Sequence, residues 1–182
     1  FVNGLTNVSQ VSSGNKHTCA LIGSGMDAGK VKCWGNNELG QLGDGTTTNQ
    51  VTPVFVTGLT NATQVSAGLT HTCAYIGSGA ETGKVKCWGD DTKGKLGDGG
   101  QAFKTTFQKI NSIDSVLQVS TNGYSVCAVI GSGIDIGKVK CWGRPIVNNG
   151  VVIATPAVIN GIENSTQVST GLFHTCALIS SG

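Results

Sequence analysis

The 182-residue chain carries 12 Lys and Arg against 10 Asp and Glu, a net charge of +2 spread along its length, so no basic block marks a nucleic-acid surface. Its 28 glycines, with 5% aromatic and 12% charged residues, point to many tight turns and exclude a long charged helix. No apolar run approaches the roughly 18 residues that a spanning helix needs, so no membrane span is expected. The chain opens at Phe1 without a basic n-region or an apolar h-region, which fits a mature or excised segment.

Read in order, the sequence repeats itself. Unit one (residues 4–57) begins GLTNVSQVSSGNKHTCALIGSGMDAGKVKCWG, and unit two (58–111) begins GLTNATQVSAGLTHTCAYIGSGAETGKVKCWG. Unit three (112–160) runs SIDSVLQVSTNGYSVCAVIGSGIDIGKVKCWG, and unit four (161–182) stops after GIENSTQVSTGLFHTCALISSG. Within a unit the expected strands are QVSSG at 10–14, HTCALI at 17–22, KVKCWG at 30–35 and, after a long connection, PVFVTG at 53–58. No segment holds an apolar 3.6-residue period long enough for a helix. Four short strands in about 50 residues, separated by Gly- and Asn-rich turns, predict an all-β chain of propeller blades. A β-solenoid would use shorter rungs, and a β-sandwich would not need such close internal identity. The array is expected to be incomplete, about three and a half units: an open half-array, or one completed by further chain or another subunit.

The first hairpin can be tested by counting. With its centre near Met26, Cys19 and Cys33 stand opposite each other; the same holds for Cys73 with Cys87 about Ala80, and Cys127 with Cys141 about Ile134. Directly opposed residues lie within disulfide reach, and each closed loop adds about 3 kcal/mol in the chain-entropy account. A buried free thiol is the alternative; metal binding is poorly served, because no second clustered pair accompanies the cysteines. Regular structural disulfides imply an oxidising compartment, hence a secreted or cell-surface protein. Cys176 holds the Cys19 position of unit four, and its counterpart would fall beyond Gly182. It is read as a sign of a fragment, or as a cysteine left for pairing between chains.

Trp34, Trp88 and Trp142 are expected to pack between blades with their indole N–H on a backbone acceptor; exposed carbohydrate-stacking rings are the rival reading. Lys32, Lys86 and Lys140 share the strand face of these rings, with snorkelling ammonium groups. His17, His71 and His174 recur, but unit three has Ser125 there, so hydrogen bonding at a strand start fits better than a catalytic ring. Thr18, Thr72 and Thr175 would join that polar rim. Asp44 and Asp98, in QLGDG and KLGDG, invite a calcium site, yet one carboxylate per loop is far too few and an Asp-Gly turn suffices. Asn7, Asn61 and Asn164 are formal glycosylation sequons at equivalent turns, used only in a eukaryotic secretory source; Asx-turn chemistry explains their recurrence equally well. Phosphate-loop, GxSxG and HExxH motifs are absent, so no cofactor or metal is expected.

In GLTNATQVSAGLTHTCAYIGSG, VKCWG, GQLGDGTTT and TPVFVTGL the chain resembles the RCC1 (regulator of chromosome condensation) repeat, especially its bacterial and secreted relatives. The resemblance covers nearly the whole chain and is most specific in units one and two. It departs at Ser125, Val126 and the missing LGDG loop of unit three. It implies a propeller whose complete members carry seven blades, and functions ranging from nucleotide exchange on a small GTPase to chromatin binding, ubiquitin-ligase accessory roles and β-lactamase inhibition. The shared residues are scaffold and select none of these. The expected function is an extracellular, non-enzymatic scaffold or protein-binding module, with loops 36–45, 90–108 and 144–155 facing the partner. A self-assembling surface filament or oligomer, a secreted enzyme inhibitor and a secreted hydrolase are the alternatives; the hydrolase could draft only Asp44, Asp98 and the histidines.

Overall fold

The computed structural model describes residues 2–144 and 151–180. These hold fourteen strands. The first blade is β1 (Val8–Ser13), β2 (His17–Ile22), β3 (Val31–Gly35) and β4 (Gln50–Phe55). The second is β5 (Ala62–Ala67), β6 (His71–Ile76), β7 (Lys84–Gly89) and β8 (Lys104–Lys109). The third is β9 (Val116–Asn122), β10 (Ser125–Ile130), β11 (Val139–Gly143) and β12 (Ile153–Val158). β13 (Ser165–Thr170) and β14 (Thr175–Ile179) make a two-stranded fourth unit. Each complete sheet is an antiparallel meander in chain order, and the only helical segment among the described residues is a 3-10 turn at Gly79–Glu81. The chain is thus a partial β-propeller of about three and a half blades.

The last strand of each blade starts earlier than the PVFVTG reading placed it: β4 takes in Gln50 and ends at Phe55. Pro53 and Pro156 both lie on these outer strands, where a residue without an N–H costs no ladder bond. The central strands are the most buried, up to β10, where every residue is buried. This follows from where the apolar core sits. One cluster joins Leu21, Val31, Leu42, Val56 and Leu59 of the first blade to Val65, Ala74, Ile76 and Trp88 of the second. Another joins Val85, Leu96, Ile110 and Ile113 to Val119, Val126, Ile130 and Trp142, and a smaller one joins Val129 and Val139 to Val168. The core lies between blades rather than within one, so a blade is stabilised by its neighbours.

Cys19–Cys33, Cys73–Cys87 and Cys127–Cys141 are directly opposed in the ladders and joined as disulfides, each with Cα atoms 4.1 Å apart. Cys176 is free and exposed.

Candidate functional site

The β1–β2 type turns and the loops joining the third to the fourth strand of each blade project from the same end of the array. Loops 36–49 and 90–103 dominate this end; the third loop is described only at Arg144 and at 151–152, so residues 145–150 of the expected 144–155 surface lie outside the described residues.

Asn37 organises loop 36–49. Fully buried, it donates from Nδ2 to Asp44 Oδ1 (3.1 Å) and to the Thr46 carbonyl and hydroxyl (3.1 and 3.2 Å), and accepts the Leu42 N–H at 3.0 Å. Asp44 also accepts the Thr46 N–H at 2.9 Å, an Asx-turn. Gln41 Nε2 donates to Asn36 Oδ1 at 2.5 Å. Loop 90–103 keeps this path but replaces the amides with charges: Asp90, Asp91 and Lys95 stand where Asn36, Asn37 and Gln41 stood. Lys95, 1% exposed, pairs with Asp90, which also accepts the Thr70 hydroxyl at 2.9 Å and the Thr92 N–H at 2.9 Å. Burial pushes the Asp90 carboxyl up, but Lys95, Thr92 and Thr70 outweigh it and bring it to about 2. Asp91 is buried, with Oδ1 accepting the Leu96 N–H at 2.9 Å and Oδ2 lacking a donor; burial first, then Asp98, raises it to about 7.

The loops also clamp the next blade. Trp88 Nε1 and the Thr72 hydroxyl both donate to the Gln41 carbonyl at 2.9 Å, and Trp142 Nε1 donates to the Lys95 carbonyl at 2.9 Å. A Cβ at Gly43 would come within 2.7 Å of Trp88 Nε1, so the ring sits where only glycine leaves room. In every blade the ladder to the outer strand is irregular around the tryptophan, between Cys33 and Gly35, Cys87 and Gly89, and Cys141 and Gly143. Trp88 and Trp142 are fully buried, whereas Trp34, on the outer face of the first blade, is only half-buried. The lysine ammonium groups turn away from the indoles. Lys32 lies 4.4 Å from the Phe55 ring centroid and Lys86 4.3 Å from that of Phe107, while Lys140 pairs with Asp135 at 2.7 Å.

The histidines play unequal parts. Since the Thr72 hydroxyl hydrogen goes to Gln41, His17 donates to that oxygen from Nε2 at 2.9 Å. His71 has no hydrogen bond on either ring nitrogen, because Val126 replaces the threonine that would meet it; the expected strand-start bond is not made. Thr72 itself is fully buried between blades. Burial lowers His17 to about 4; burial, with Lys95 nearby, lowers His71 to about 3. His174 is exposed. Among the described residues no group of three His, Cys, Asp or Glu could hold a metal ion.

The sequence reading missed a second clamp. Gln10 Oε1 accepts the Val65 N–H at 2.9 Å and Ser12 Oγ accepts the Ala67 N–H at 2.9 Å. Gln64 and Ser66 do the same for Val119 and Thr121, and Gln118 and Ser120 for Val168 and Thr170. The signal was the polar Gln and Ser of QVS, present in all four units. Asn7, Asn61 and Asn164 are exposed at φ between 54° and 59°, as the turn reading requires, and Ser115 takes the same place at 55°.

Four-stranded meanders with an inter-blade core, each clamped to the next by side chains on main-chain N–H groups, define a propeller-type repeat protein. The chain belongs to the regulator of chromosome condensation (RCC1) repeat family, whose repeat matches residues 28–75 and, in a second form, residues 8–41. It is 35% identical over 147 residues to the Arabidopsis thaliana ultraviolet-B receptor UVR8, covering 80% of this chain and 30% of that protein. Human RCC2 is 36% identical over 100 residues, 54% of this chain and 17% of that one. The chain therefore spans less than a third of the length of these relatives. Human WBSCR16 superposes with a TM-score of 0.78 at 24% identity, over 94% of this chain and 45% of that one. Yeast RCC1 (Prp20), solved bound to Kap60, does so with 0.77 at 19% identity, over 98% and 43%; both likenesses bear on the fold alone.

Proposed function

We propose that this chain is part of an RCC1-type propeller serving as an extracellular, non-enzymatic protein-binding scaffold, with the loop-bearing end as its partner face. The carrying observation is the contrast at that end: clamps repeat from blade to blade, while exposed residues differ and include Phe103, Tyr124, Arg144 and Phe173. Aromatic and arginine side chains are the types that anchor protein interfaces. The three disulfides support the extracellular setting. Site-specific photo-crosslinkers test the face: placed at residues 103 and 124 they should capture one protein from the surface of the source cells. Capture only from residues 26 and 134, at the opposite end, would reject it.

A second reading, association with another RCC1-type unit, has its own observation. Gln167 and Ser169 are exposed at one end of the array, while at the other Val11 is exposed and Trp34 only half-buried. Light scattering decides it: assembly above 18.5 kDa that Gln167→Ala with Ser169→Ala abolishes supports association, and a monomer at all concentrations contradicts it.

A further inference from the structure

The two loops are nearly the same backbone built with different chemistry, and one difference has not been compensated. In loop 36–49 the buried Asn37 supplies an N–H to the Asp44 carboxylate. In loop 90–103 the equivalent pair is Asp91 and Asp98, so the donor is replaced by a second acceptor. Asp91 is fully buried, its Oδ1 is used by the Leu96 N–H, and its Oδ2 has no donor among the described residues. The two carboxyls converge on Gly100: a Cβ there would lie 3.0 Å from Asp98 Oδ1 and 3.5 Å from Asp91 Oδ2. Two ionised carboxylates so placed repel; one proton turns the same contact into an O–H···O⁻ bond and restores the donor that Asn37 provides.

We propose that Asp91 and Asp98 form a proton-operated latch that orders loop 90–103 when one proton is shared and loosens it when that proton leaves. The charged groups around the pair leave the proton as the fitting ligand. Lys104, at the start of β8, approaches Asp98 Oδ2 at 3.7 Å and offsets only part of its charge. The neighbouring Asp90 is already committed to Lys95 and Thr70. From the next blade the loop meets Ala154 and Thr155, and from the preceding blade Gly40 and Gly45 abut Lys104 and Thr105; none of Ala154, Thr155, Gly40, Gly45 and Thr105 titrates. The elevation of Asp91 to about 7 agrees with this geometry.

A carboxyl whose folded pKa lies above its unfolded value favours the folded loop below the unfolded pKa, and that advantage fades as pH rises through about 7. Equilibrium unfolding in denaturant between pH 5 and 8 tests it. Relative to Asp91→Asn, the wild-type folding constant should fall roughly tenfold or more over this range. The reciprocal Asn37→Asp, which faces Asp44, should introduce the same dependence into the first blade. In the wild type the Asp91 carboxyl carbon resonance should titrate with a midpoint near neutrality, and exchange of the Leu96 amide should accelerate across it. Parallel pH profiles for wild type and Asp91→Asn, or an Asp91 midpoint in the ordinary carboxylate range, would overturn the latch.

Discussion

His71 and His17 occupy the same place in successive blades, yet only His17 has a hydroxyl to bond. Restoring it by Val126→Thr should raise stability by about 1 kcal/mol, read as a higher denaturant midpoint at pH 7. An unchanged or lower midpoint would show that the apolar contacts of Val126 matter more than the missing bond. Both rings are held below their ordinary range, so their contribution is complete above the unfolded histidine value near 6.5 and is lost as pH falls toward about 4 and 3. Acid unfolding should therefore begin below about pH 6 and shift lower in a His17→Gln, His71→Gln double variant. The indole bonds admit a sharper test. Trp142→Phe keeps the ring in its slot but leaves the Lys95 carbonyl unpaired, and should cost about 1–3 kcal/mol. Trp34→Phe, at a half-exposed ring whose indole N–H meets no carbonyl among the described residues, should cost much less.

At the scale of the element, the hairpin is where sequence was most informative. The opposed cysteines could be counted from the spacing because a two-strand ladder has one centre, and the ladders place Cys19 against Cys33 as the count requires. Replacing both Cys73 and Cys87 with serine should cost about 3 kcal/mol, seen as a lower thermal midpoint that reducing agent no longer changes at this blade. What the spacing could not convey was which backbone atoms each polar side chain reaches in a neighbouring unit. Gln10 bonds Val65, and Trp88 bonds Gln41, only because blades stack, so these contacts depend on a packing no local pattern encodes. The Asp91–Asp98 pair was hidden within one loop: Asp98 was visible as a turn residue, but its facing partner lies seven positions earlier, and only the folded path of the loop brings the two together.

For the whole molecule, the clamp from one blade to the next survives a change in repeat length. The first two sets of bonds link residues 55 apart and the third links residues 50 apart, through the same Gln and Ser. Length variation is absorbed outside the Gln and Ser clamp, on the loop-bearing end, where the strand-to-strand connection runs from Gly89 to Lys104 in the second blade and from Gly143 to Ile153 in the third.

The disulfides give this frame a mechanical character. Pulled from its ends, the array should yield blade by blade, since each core lies between neighbours. A blade advances the chain by 54 residues from Cys19 to Cys73, but the 14-residue spans inside the crosslinks cannot pay out. Each rupture of the first two blades should then lengthen the tether by about 140 Å, growing to about 190 Å once the crosslinks are reduced. A force trace would thus report the redox state of the chain one blade at a time.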